Sequence, residues 1–459
     1  MGFRSVCLLL LVVAIAVFAQ SKDRNQKKYK VVCYLGSWAN YRGGDAKFLI
    51  EHIDPNICTH VIYGFAKLAN NQIAAYDPYL DLKENWGLGA FQRFNNLKKA
   101  NPQLSTLIAI GGWNEGSQKY SAMAADAGAR ATFVKSAVDF CKKYDFDGLD
   151  MDWEYPANRG GAAADKQNFI TLLKELKEAF APHGLLLSAA VSAGKNTIDT
   201  AYDIPGMAKY LDFINVMAYD LHGSWEKTAG HNAPLYERPE ESEGDKILNV
   251  DYAIKYWEKM GAPKSKIILG MGTYGRSFTL ANPSDNKLGA ATTGPGRAGP
   301  MTKEPGMLGY NELCLDKEWT EVFVPKVEAP YAYKGNQWVG YDNVKSIGIK
   351  VDYLIKGRTR RWHDLVVGDR RLPRQVRPGQ VPPPHHHLHQ AERRRQQTHR
   401  QPRRPDHQET RRGGAHQPTR TGLQVHQGRL LPRPRQLLRL LLLRQAGRVG
   451  LRKAQVQLR

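Results

Sequence analysis

Short apolar runs separated by longer polar stretches constrain the fold of this chain more than any other feature. From residue 30 onward, seven runs rich in β-branched and aromatic residues alternate with helix-compatible segments such as Ala129–Tyr144, whose apolar residues recur at spacings of three and four. The seven predicted strands are Lys30–Leu35, Thr59–Phe65, Ser105–Gly111, Phe146–Asp152, Leu185–Ser192, Phe213–Tyr219 and Lys266–Gly272. This alternation predicts an α/β fold, a (β/α)8 TIM barrel with one strand unaccounted for.

The pattern changes after the seventh predicted strand. Residues from about 275 to 341 are rich in Gly and Pro with scattered aromatic residues, and they contain no pattern of a long amphipathic helix. We therefore expect an inserted α+β lobe on the loop that follows this strand. Because catalytic residues of such barrels come from the carboxyl ends of the strands, functional residues are expected at those ends.

The positive charge of the chain is concentrated in its C-terminal part. The formal net charge is +22, but residues 357–459 contain 24 Arg, one Lys and five acidic residues. The first 356 residues therefore carry a net charge of only +2, which argues against a nucleic-acid partner. The hydrophobic content of 42% is that of a globular protein, which excludes wholesale disorder and a multi-span membrane protein.

Residues 1–19 have the pattern of a cleavable signal peptide. Arg4 precedes an apolar run from Val6 to Phe18, and the run ends in a small-residue cleavage pattern at Ala19. The alternative is a membrane-spanning helix. Such a helix needs about 20 apolar residues, and this run is shorter. We therefore predict a secreted, extracellular protein that has no membrane association and whose catalytic body comprises residues 20–356.

The densest functional signal lies at the end of the fourth predicted strand, between Phe146 and Pro156. Because side chains alternate along a strand, Asp150, Asp152 and Glu154 point to one face. Neighbouring carboxylates raise each other's proton affinity, and a general acid working near neutral pH needs such an environment. The alternative is a set of carboxylates that bind a metal or are solvated at a rim, and the lack of neighbouring His ligands argues against it.

The spacing Asp147-x-x-Asp150-x-Asp152-x-Glu154 resembles the signature of glycoside hydrolase family 18, the chitinases and their lectin-like relatives. Three more segments at strand ends resemble the same family: Ser105–Trp113 with its Gly-Gly-Trp ending, Met217–Asp220 and Gly275–Phe278. The resemblance covers roughly residues 28–356 and is of the type of the secreted arthropod endochitinases.

This resemblance implies a reaction and a set of partners. The reaction is retaining hydrolysis of β-1,4-linked N-acetylglucosamine, in which the acetamido oxygen of the substrate itself attacks the anomeric carbon. Chitin or chito-oligosaccharides are the expected partners of a monomeric protein. No cofactor and no metal are expected, and neither is nucleic acid.

The resemblance also assigns catalytic roles to four residues. Glu154 is expected to protonate the leaving oxygen and later to activate water. Asp152 is expected to orient the acetamido group and to stabilise the oxazolinium intermediate, and Asp150 is expected to share a proton with Asp152. Tyr219 is expected to hydrogen-bond the acetamido carbonyl. Asp147 lies off the alternating face, and we expect it to be structural.

Seven further residues are expected to line the sugar groove, on the resemblance and on their positions at strand ends. They are Tyr34, Trp38, Trp113, Met217, Asp220, Tyr274 and Arg276. Sugar rings have apolar faces that stack on aromatic side chains, and the positions of Trp38 and Trp113 favour this role over burial in the core. No positional argument separates core from surface for three other tryptophans, Trp86, Trp225 and Trp257. Three histidines are interpreted as structural, namely His60, His222 and His231.

Four cysteines remain after removal of a signal peptide, in a compartment that permits disulfides. Cys33, Cys58, Cys141 and Cys314 allow three complete pairings, and the sequence alone does not choose among them. By resemblance, Cys33 and Cys58 form the structural pair that ties the first strand to the segment before the second. Cys141 is predicted to be a buried free thiol.

The composition breaks after Lys356. Residues 357–459 contain no Phe, Tyr, Ile, Met, Asn, Ser or Cys, while Arg, Gln, Pro, His and Leu dominate. In the family this region carries the eighth strand, with a Trp at the floor of the sugar site and then a Cys that pairs with the counterpart of Cys314. Neither feature is in place, so the eighth strand is missing from the pattern. Since seven strands do not close a barrel, we expect the chain as written to fold and act poorly.

A shifted reading frame accounts for this basic low-complexity tail. Codons for residues 361–378, read one nucleotide later, can encode the missing strand with its Trp and Cys. The same shift over residues 423–443 can encode a cysteine-rich stretch similar to a peritrophin-type chitin-binding module, joined by a linker. The alternative is an Arg-rich arm for RNA or anionic surfaces, which needs interleaved aromatic residues, and the tail has one Trp.

The sequence therefore predicts a secreted chitinase. The alternative is a catalytically inactive chitin-binding lectin or growth-factor-like protein on the same fold. Lectin-like relatives typically lose the acid at the position of Glu154. This chain retains both Glu154 and Asp152, which favours the enzyme.

Overall fold

The computed structural model describes residues 29–366 and 454–458. The predicted signal peptide, residues 1–19, lies outside the described residues, as does the predicted tail except for residues 357–366 and 454–458. The chain divides into two units, and the first, Met1–Arg361 with Pro432–Arg459, contains every described strand. Of the second unit, only the helical residues 362–366 are described. None of the described helices combines the length and the apolar character that a membrane span requires.

Seven parallel strands form the wall of a barrel where the apolar runs predict them. They are β1 (Val31–Gly36), β2 (His60–Ala69), β4 (Ser105–Gly111), β5 (Gly148–Asp152), β6 (Leu186–Ser192), β7 (Phe213–Met217) and β8 (Ile267–Gly272). Each pairs with the next in this order. The pattern did not predict β3 (Gln72–Ala75), a short strand that pairs antiparallel with the end of β2. The TIM-barrel fold class is confirmed.

The helices between these strands follow the periodic polar segments. The α-helices of the described residues are α1 (Pro78–Asp81), α2 (Ala90–Asn95), α3 (Leu97–Ala100), α4 (Gln118–Ala125), α5 (Ala127–Tyr144), α6 (Asp165–Phe180), α7 (Lys195–Ala201), α8 (Ile204–Tyr210), α9 (Val250–Lys259), α10 (Tyr310–Leu315) and α11 (Val344–Val366). Short 3-10 helices lie at Ser37–Tyr41, Gly44–Ala46, Ile50–His52, Glu84–Trp86, Trp113–Glu115 and Ala181–His183.

Helix α5 illustrates why these segments fold as they do. The Asp126 carboxylate accepts a hydrogen bond from the Ala129 N–H at 2.7 Å, which caps the helix start. The left-handed residue Asp145, with φ of 62°, ends the helix. Between them, buried residues at three- and four-residue spacing, including Phe133 and Ala137, pack into the core outside the strands.

A fifteenth strand lies in the seam between β8 and β1. This strand, β15 (Ala454–Leu458), runs parallel to both neighbours, with Val456 opposite Cys33 on β1 and opposite Met271 on β8. The residues directly after 356 supply no strand, as the sequence indicates, because residues to Val366 continue helix α11. The far end of the tail takes this position instead, so the edges of β1 and β8, which a seven-stranded barrel would leave unpaired, are covered by backbone pairing. The physical reason is that unpaired N–H and C=O groups on a strand edge accept an extended segment with little regard to its side chains.

The segment after β8 forms the inserted α+β lobe that the Gly- and Pro-rich pattern predicts. Its strands are β9 (Tyr274–Leu280), β10 (Thr292–Pro295), β11 (Met307–Gly309), β12 (Thr320–Val324), β13 (Ala329–Lys334) and β14 (Gln337–Gly340), with α10 between β11 and β12. They form an antiparallel sheet in the order β10-β9-β14-β13-β12, and β11 also pairs with β9. Phe278 and Trp338 are fully buried in its core.

The two faces of β5 belong to different parts of the core. Leu149 and Met151 pack into the large cluster outside the strands. The alternate residues, Asp150 and Asp152, point into the barrel, where the neighbouring strands place an apolar cluster that includes Tyr34. The pleat of one five-residue strand therefore separates structural residues from the carboxylates.

The Cys33–Cys58 disulfide is present and joins β1 to the segment before β2. Cys141 is a buried free thiol on α5, and burial raises the pKa of this thiol to about 12. Cys314 on α10 is half-buried and has no disulfide partner among the described residues.

Candidate active site

The three carboxylates of the β5 row lie together at the carboxyl end of the barrel. Asp150, Asp152 and Glu154 are 0%, 4% and 8% exposed. Strand β4 approaches this row closely because its last residue is Gly111 and Gly112 follows it. Gly111 has a φ of 114°, and a Cβ there would lie 2.1 Å from the Asp152 carbonyl oxygen. The Gly112 N–H donates to the same oxygen at 2.8 Å.

Asp150 lies at the floor of the site and accepts three hydrogen bonds. The Tyr34 hydroxyl donates to Oδ2 at 2.7 Å, and the Ser188 hydroxyl and Asn215 Nδ2 donate to Oδ1 at 2.6 and 3.0 Å. These bonds favour the ionised carboxylate, but complete burial opposes them and prevails, raising the pKa of Asp150 to about 6. Asp150 is therefore able to gain or lose a proton near neutral pH.

The phenol of Tyr34 lies within the electrostatic influence of both Asp150 and Asp152. Burial is the main cause that raises the pKa of this phenol, and the negative charges of Asp150 and Asp152 raise it further. Tyr34 therefore remains protonated and donates its hydrogen bond to Asp150. Both carboxylates therefore lie close enough to this buried phenol for their negative charges to act on it.

The charge of Glu154 acts on two phenols, that of half-buried Tyr155 and that of buried Tyr202. Burial, followed by the charge of Glu154, raises the pKa of both Tyr155 and Tyr202. The Tyr202 hydroxyl accepts a hydrogen bond from the Ser192 N–H at 3.2 Å, so β6 holds this phenol in place. The Glu154 carboxyl therefore occupies a largely dry wall of the site, in the kind of environment that general acids require.

A second wall comes from the residues after β7 and from the first strand of the lobe. The Tyr274 hydroxyl and Arg276 Nε donate to the same oxygen of Asp220, at 2.6 and 2.8 Å. The Tyr219 ring packs edge-on against the Tyr274 ring, with 6.0 Å between their centroids. The structure thus brings together four predicted site residues from two separate segments.

Two predicted aromatic platforms lie at the rim of the barrel. Trp38 is 40% exposed, and its ring stacks on Phe65 with 6.2 Å between centroids and an angle of 11°. Trp113 is 57% exposed and has the Arg159 guanidinium 3.6 Å from its ring centroid. Both indoles are held by a neighbour and still present surface to solvent.

Trp225 is a rim residue that the sequence did not separate from core residues. Its indole is 61% exposed, and the Arg276 guanidinium lies 5.3 Å from its ring centroid. Its position six residues beyond Tyr219, on the loop that follows β7, is the same strand-end signal that identified Trp38. Its position after a predicted strand could therefore have identified Trp225 as a candidate rim residue.

The remaining predicted site residues lie at the edges of this arrangement. Met217 is half-buried at the end of β7. Asp147 lies at the opposite, amino end of β5, where its carboxylate accepts from the Thr106 N–H at 2.7 Å and from Lys98 Nζ at 3.2 Å. Asp147 therefore joins β5 to β4 and α3, away from the other carboxylates.

The structure also separates the tryptophans and histidines left without a role. Trp257 is buried and donates to the Ser192 carbonyl at 3.0 Å, whereas Trp86 is 96% exposed. The His222 ring contacts the Glu226 carboxylate at 3.1 Å. Burial lowers the pKa of His231 to about 3, so this imidazole is neutral.

Metal ligation is the alternative explanation for a carboxylate cluster. The residues that the structure describes contain no group of three or more His, Cys, Asp or Glu side chains arranged to hold a metal ion. What the site does offer is a nearly buried carboxyl at Glu154, a carboxyl with a raised pKa at Asp150, and exposed aromatic side chains at the rim.

Comparison with known proteins identifies similar chains. Residues 30–358 match the family described as Glycosyl hydrolases family 18. The chain is 47% identical to chitotriosidase-1 of Mus musculus over 332 residues, which are 71% of this chain and 70% of that protein.

Two solved structures are similar in fold as well as in sequence. The Ostrinia furnacalis Group IV chitinase in complex with allosamidin is 44% identical, with a TM-score of 0.69, over 71% of this chain and 88% of the other. Human YKL-39, described as a pseudo-chitinase with retained chitooligosaccharide binding properties, is 40% identical, with a TM-score of 0.67, over 72% of this chain and 89% of the other.

Proposed function

This chain belongs to glycoside hydrolase family 18, and from that membership we propose that it cleaves the β-1,4 linkages between N-acetylglucosamine units of chitin with retention of configuration. The observation that carries the proposal is the buried row of Asp150, Asp152 and Glu154 at the carboxyl end of β5. The complex of the Ostrinia chitinase with allosamidin, and that of a Nicotiana class V chitinase with NAG4, support a carbohydrate ligand for this fold.

In the first step, Glu154 donates its proton to the glycosidic oxygen. The carbonyl oxygen of the substrate's own acetamido group attacks the anomeric carbon as the bond to the leaving sugar breaks. The products are a shortened chain with a new hydroxyl group and an oxazolinium ion, while Glu154 is left as a carboxylate. The nucleophile belongs to the substrate, so the protein supplies positioning and charge.

The aspartates and Tyr219 act on the acetamido group. Asp152 accepts the acetamido N–H and places negative charge beside the oxazolinium ion, and Tyr219 donates to the acetamido oxygen before the attack. Asp150, with a pKa of about 6, exchanges a proton with Asp152, so that Asp152 carries more negative charge when the positive ion forms.

In the second step, Glu154 removes a proton from water as the water attacks the anomeric carbon. The carbon–oxygen bond of the oxazolinium ring breaks, the acetamido group is restored, and Glu154 regains its proton. Two inversions at one carbon give net retention, so the first product is the β-anomer. Proton NMR during the first minutes of chitohexaose hydrolysis tests this step, and initial release of the α-anomer would contradict it.

The second candidate is a binding protein without turnover, as the description of human YKL-39 illustrates for a similar fold. The presence of Glu154 beside Asp152, both nearly buried, favours hydrolysis. A chain that binds chitohexaose and releases no reducing ends would support the binding protein instead.

We also propose that residues 1–19 direct the protein to the secretory pathway and that the secreted chain is a monomer. The apolar run and the small-residue cleavage pattern at Ala19 support the secretory route. Secretion from insect cells, N-terminal sequencing and size-exclusion chromatography test it. An N-terminus that retains Met1 in the medium would contradict cleavage.

Finally, we propose that residues 357–459 are read out of frame. The family match ends at residue 358, and β15 contains no aromatic residue and no Cys to replace those that the family pattern expects. Sequencing the transcript across the codons for Tyr353 to Pro378 is the direct test. A one-nucleotide correction that restores Trp and Cys is the expected result, and an intact frame would overturn the proposal.

A further inference from the structure

Arg159 joins the base of the proton donor to the rim of the groove. It lies five residues beyond Glu154, on the loop between β5 and α6, and has a φ of 51°. Its Nη1 donates to the Glu154 main-chain carbonyl at 3.0 Å. Its guanidinium lies 3.6 Å from the centroid of the Trp113 ring.

The contact with Trp113 is close enough to restrict the indole. A guanidinium at this distance is attracted to the negative ring face and shields that face from solvent. Trp113 nevertheless remains 57% exposed. The indole therefore has one face covered by Arg159 and surface left for a ligand elsewhere.

The contact with Glu154 restricts the backbone that carries the proton donor. A charged donor to a main-chain carbonyl forms a stronger hydrogen bond than a neutral one. One planar guanidinium group thus makes both contacts.

We propose that Arg159 is a positioning residue that fixes Trp113 as a sugar platform in register with Glu154. This inference rests on the proposed function, because it takes the ligand of Trp113 to be a ring of a chito-oligosaccharide. Arg159 touches neither the scissile bond nor the acetamido group in this scheme. It acts through Trp113, and its bond to the Glu154 main-chain carbonyl anchors it beside the proton donor.

A double-mutant cycle tests the coupling in the full chain. Binding of chitohexaose is measured by calorimetry in a Glu154→Gln background, which prevents turnover and leaves the main-chain carbonyl in place. Arg159→Ala is expected to weaken binding by about 3- to 30-fold, from the size of a cation–π contact. In a Trp113→Ala background the same change is expected to alter affinity less than about 2-fold, since the partner is gone.

Arg159→Lys is the matched control. It keeps the charge and a hydrogen-bond donor but lacks the planar face, so we expect affinity between those of wild type and Arg159→Ala. Equal losses from Arg159→Ala with and without Trp113 would show a general structural role and overturn the inference. An unchanged affinity in the single variant would overturn it as well.

A readout without sugar separates this inference from the proposed function. The near-ultraviolet circular dichroism of Trp113 is defined as the difference between wild type and Trp113→Phe. Arg159→Ala is expected to abolish that difference signal, and its persistence would overturn the positioning role. A wild-type chain that binds no chitohexaose would refute the proposed function, while this signal would still decide whether Arg159 orders Trp113.

Discussion

Strands β5 and β15 are both five residues long and parallel to two neighbours, yet they contribute differently to the barrel. β5 pairs with β4 and β6, and its inward side chains are the carboxylates of the site. β15 pairs with β1 and β8, and its sequence of Ala, Gln, Val, Gln and Leu contains no acid, no aromatic residue and no Cys.

The difference shows that backbone pairing and site chemistry impose separate requirements on a strand. The edges of β1 and β8 need only N–H and C=O partners, which almost any extended segment supplies. The site needs particular groups at alternate positions, and it needs Tyr34, Ser188 and Asn215 around Asp150. A barrel position is therefore filled more easily than an active site is completed.

The largest effect is expected from Glu154→Gln, which tests whether β5 supplies the reactive residues. The variant is made in a frame-restored chain, in which the reading frame after Lys356 is corrected. The amide keeps the shape of the side chain but has no acidic proton. We expect kcat on chitohexaose to fall by about 10²- to 10⁴-fold, the usual contribution of a general acid, with binding retained. Turnover at the wild-type rate would remove Glu154 from the mechanism.

The matching challenge to β15 is Val456→Pro in the chain as written. Proline removes a backbone donor in the middle of a strand that pairs on both sides, and we expect a loss of about 1 to 3 kcal/mol in the free energy of unfolding, the cost of a lost backbone hydrogen-bond donor. Val456→Ala is the control, because it trims the side chain and keeps the N–H. Equal melting temperatures for the two variants would mean that this strand does not support the barrel.

Asp150→Asn tests whether the buried carboxyl at the floor of the site makes the stability of the protein depend on pH. Burial raises the pKa of Asp150 to about 6, above that of an unfolded aspartate near 3.9. The folded chain therefore holds this proton more tightly, and the resulting stabilisation is complete below about pH 4 and lost as the pH rises through about 6. We expect the stability of wild type relative to Asp150→Asn to fall over that interval.

Activity gives a second readout for Asp150, with Asp81 as the control. Burial also raises the pKa of Asp81 to about 6, and the Tyr63 hydroxyl donates to it at 2.6 Å on the outer side of β2. In frame-restored chains, the inflection of kcat/KM near pH 6 is expected to disappear in Asp150→Asn and to remain in Asp81→Asn. If the inflection instead remained in Asp150→Asn and disappeared in Asp81→Asn, the titrating group would be Asp81, and the role given to Asp150 would be wrong.

The smallest expected effect is at the rim. Trp225→Ala removes an exposed indole beside Arg276, and we expect KM for chitohexaose to rise about 10-fold with kcat nearly unchanged, from the size of a single stacking contact. Trp86→Ala is the control, because that indole is 96% exposed and lies before α2, away from the carboxylates. Similar changes in both variants would indicate a loss of stability instead of a lost sugar contact.

The sequence carried local information very well. Periods of two and of about 3.6 residues predicted seven strands and the helix α5 close to their observed bounds. Alternation placed Asp150, Asp152 and Glu154 on one face before any contact was known. The hairpin strand β3 escaped this reasoning because four residues are too few to establish a period.

What the sequence by itself determined was therefore the order of the elements, the face of the carboxylate row and the break in composition after Lys356. Only the tertiary structure decided that Ser188 and Asn215 bond Asp150, that Arg159 covers a face of Trp113, and that β15 lies in the seam. The physical reason is the distance along the chain over which each interaction acts. Periodicity and side-chain alternation act within one element, whereas burial, hydrogen-bond partners and the pairing of distant strands depend on residues that are brought together only when the barrel forms.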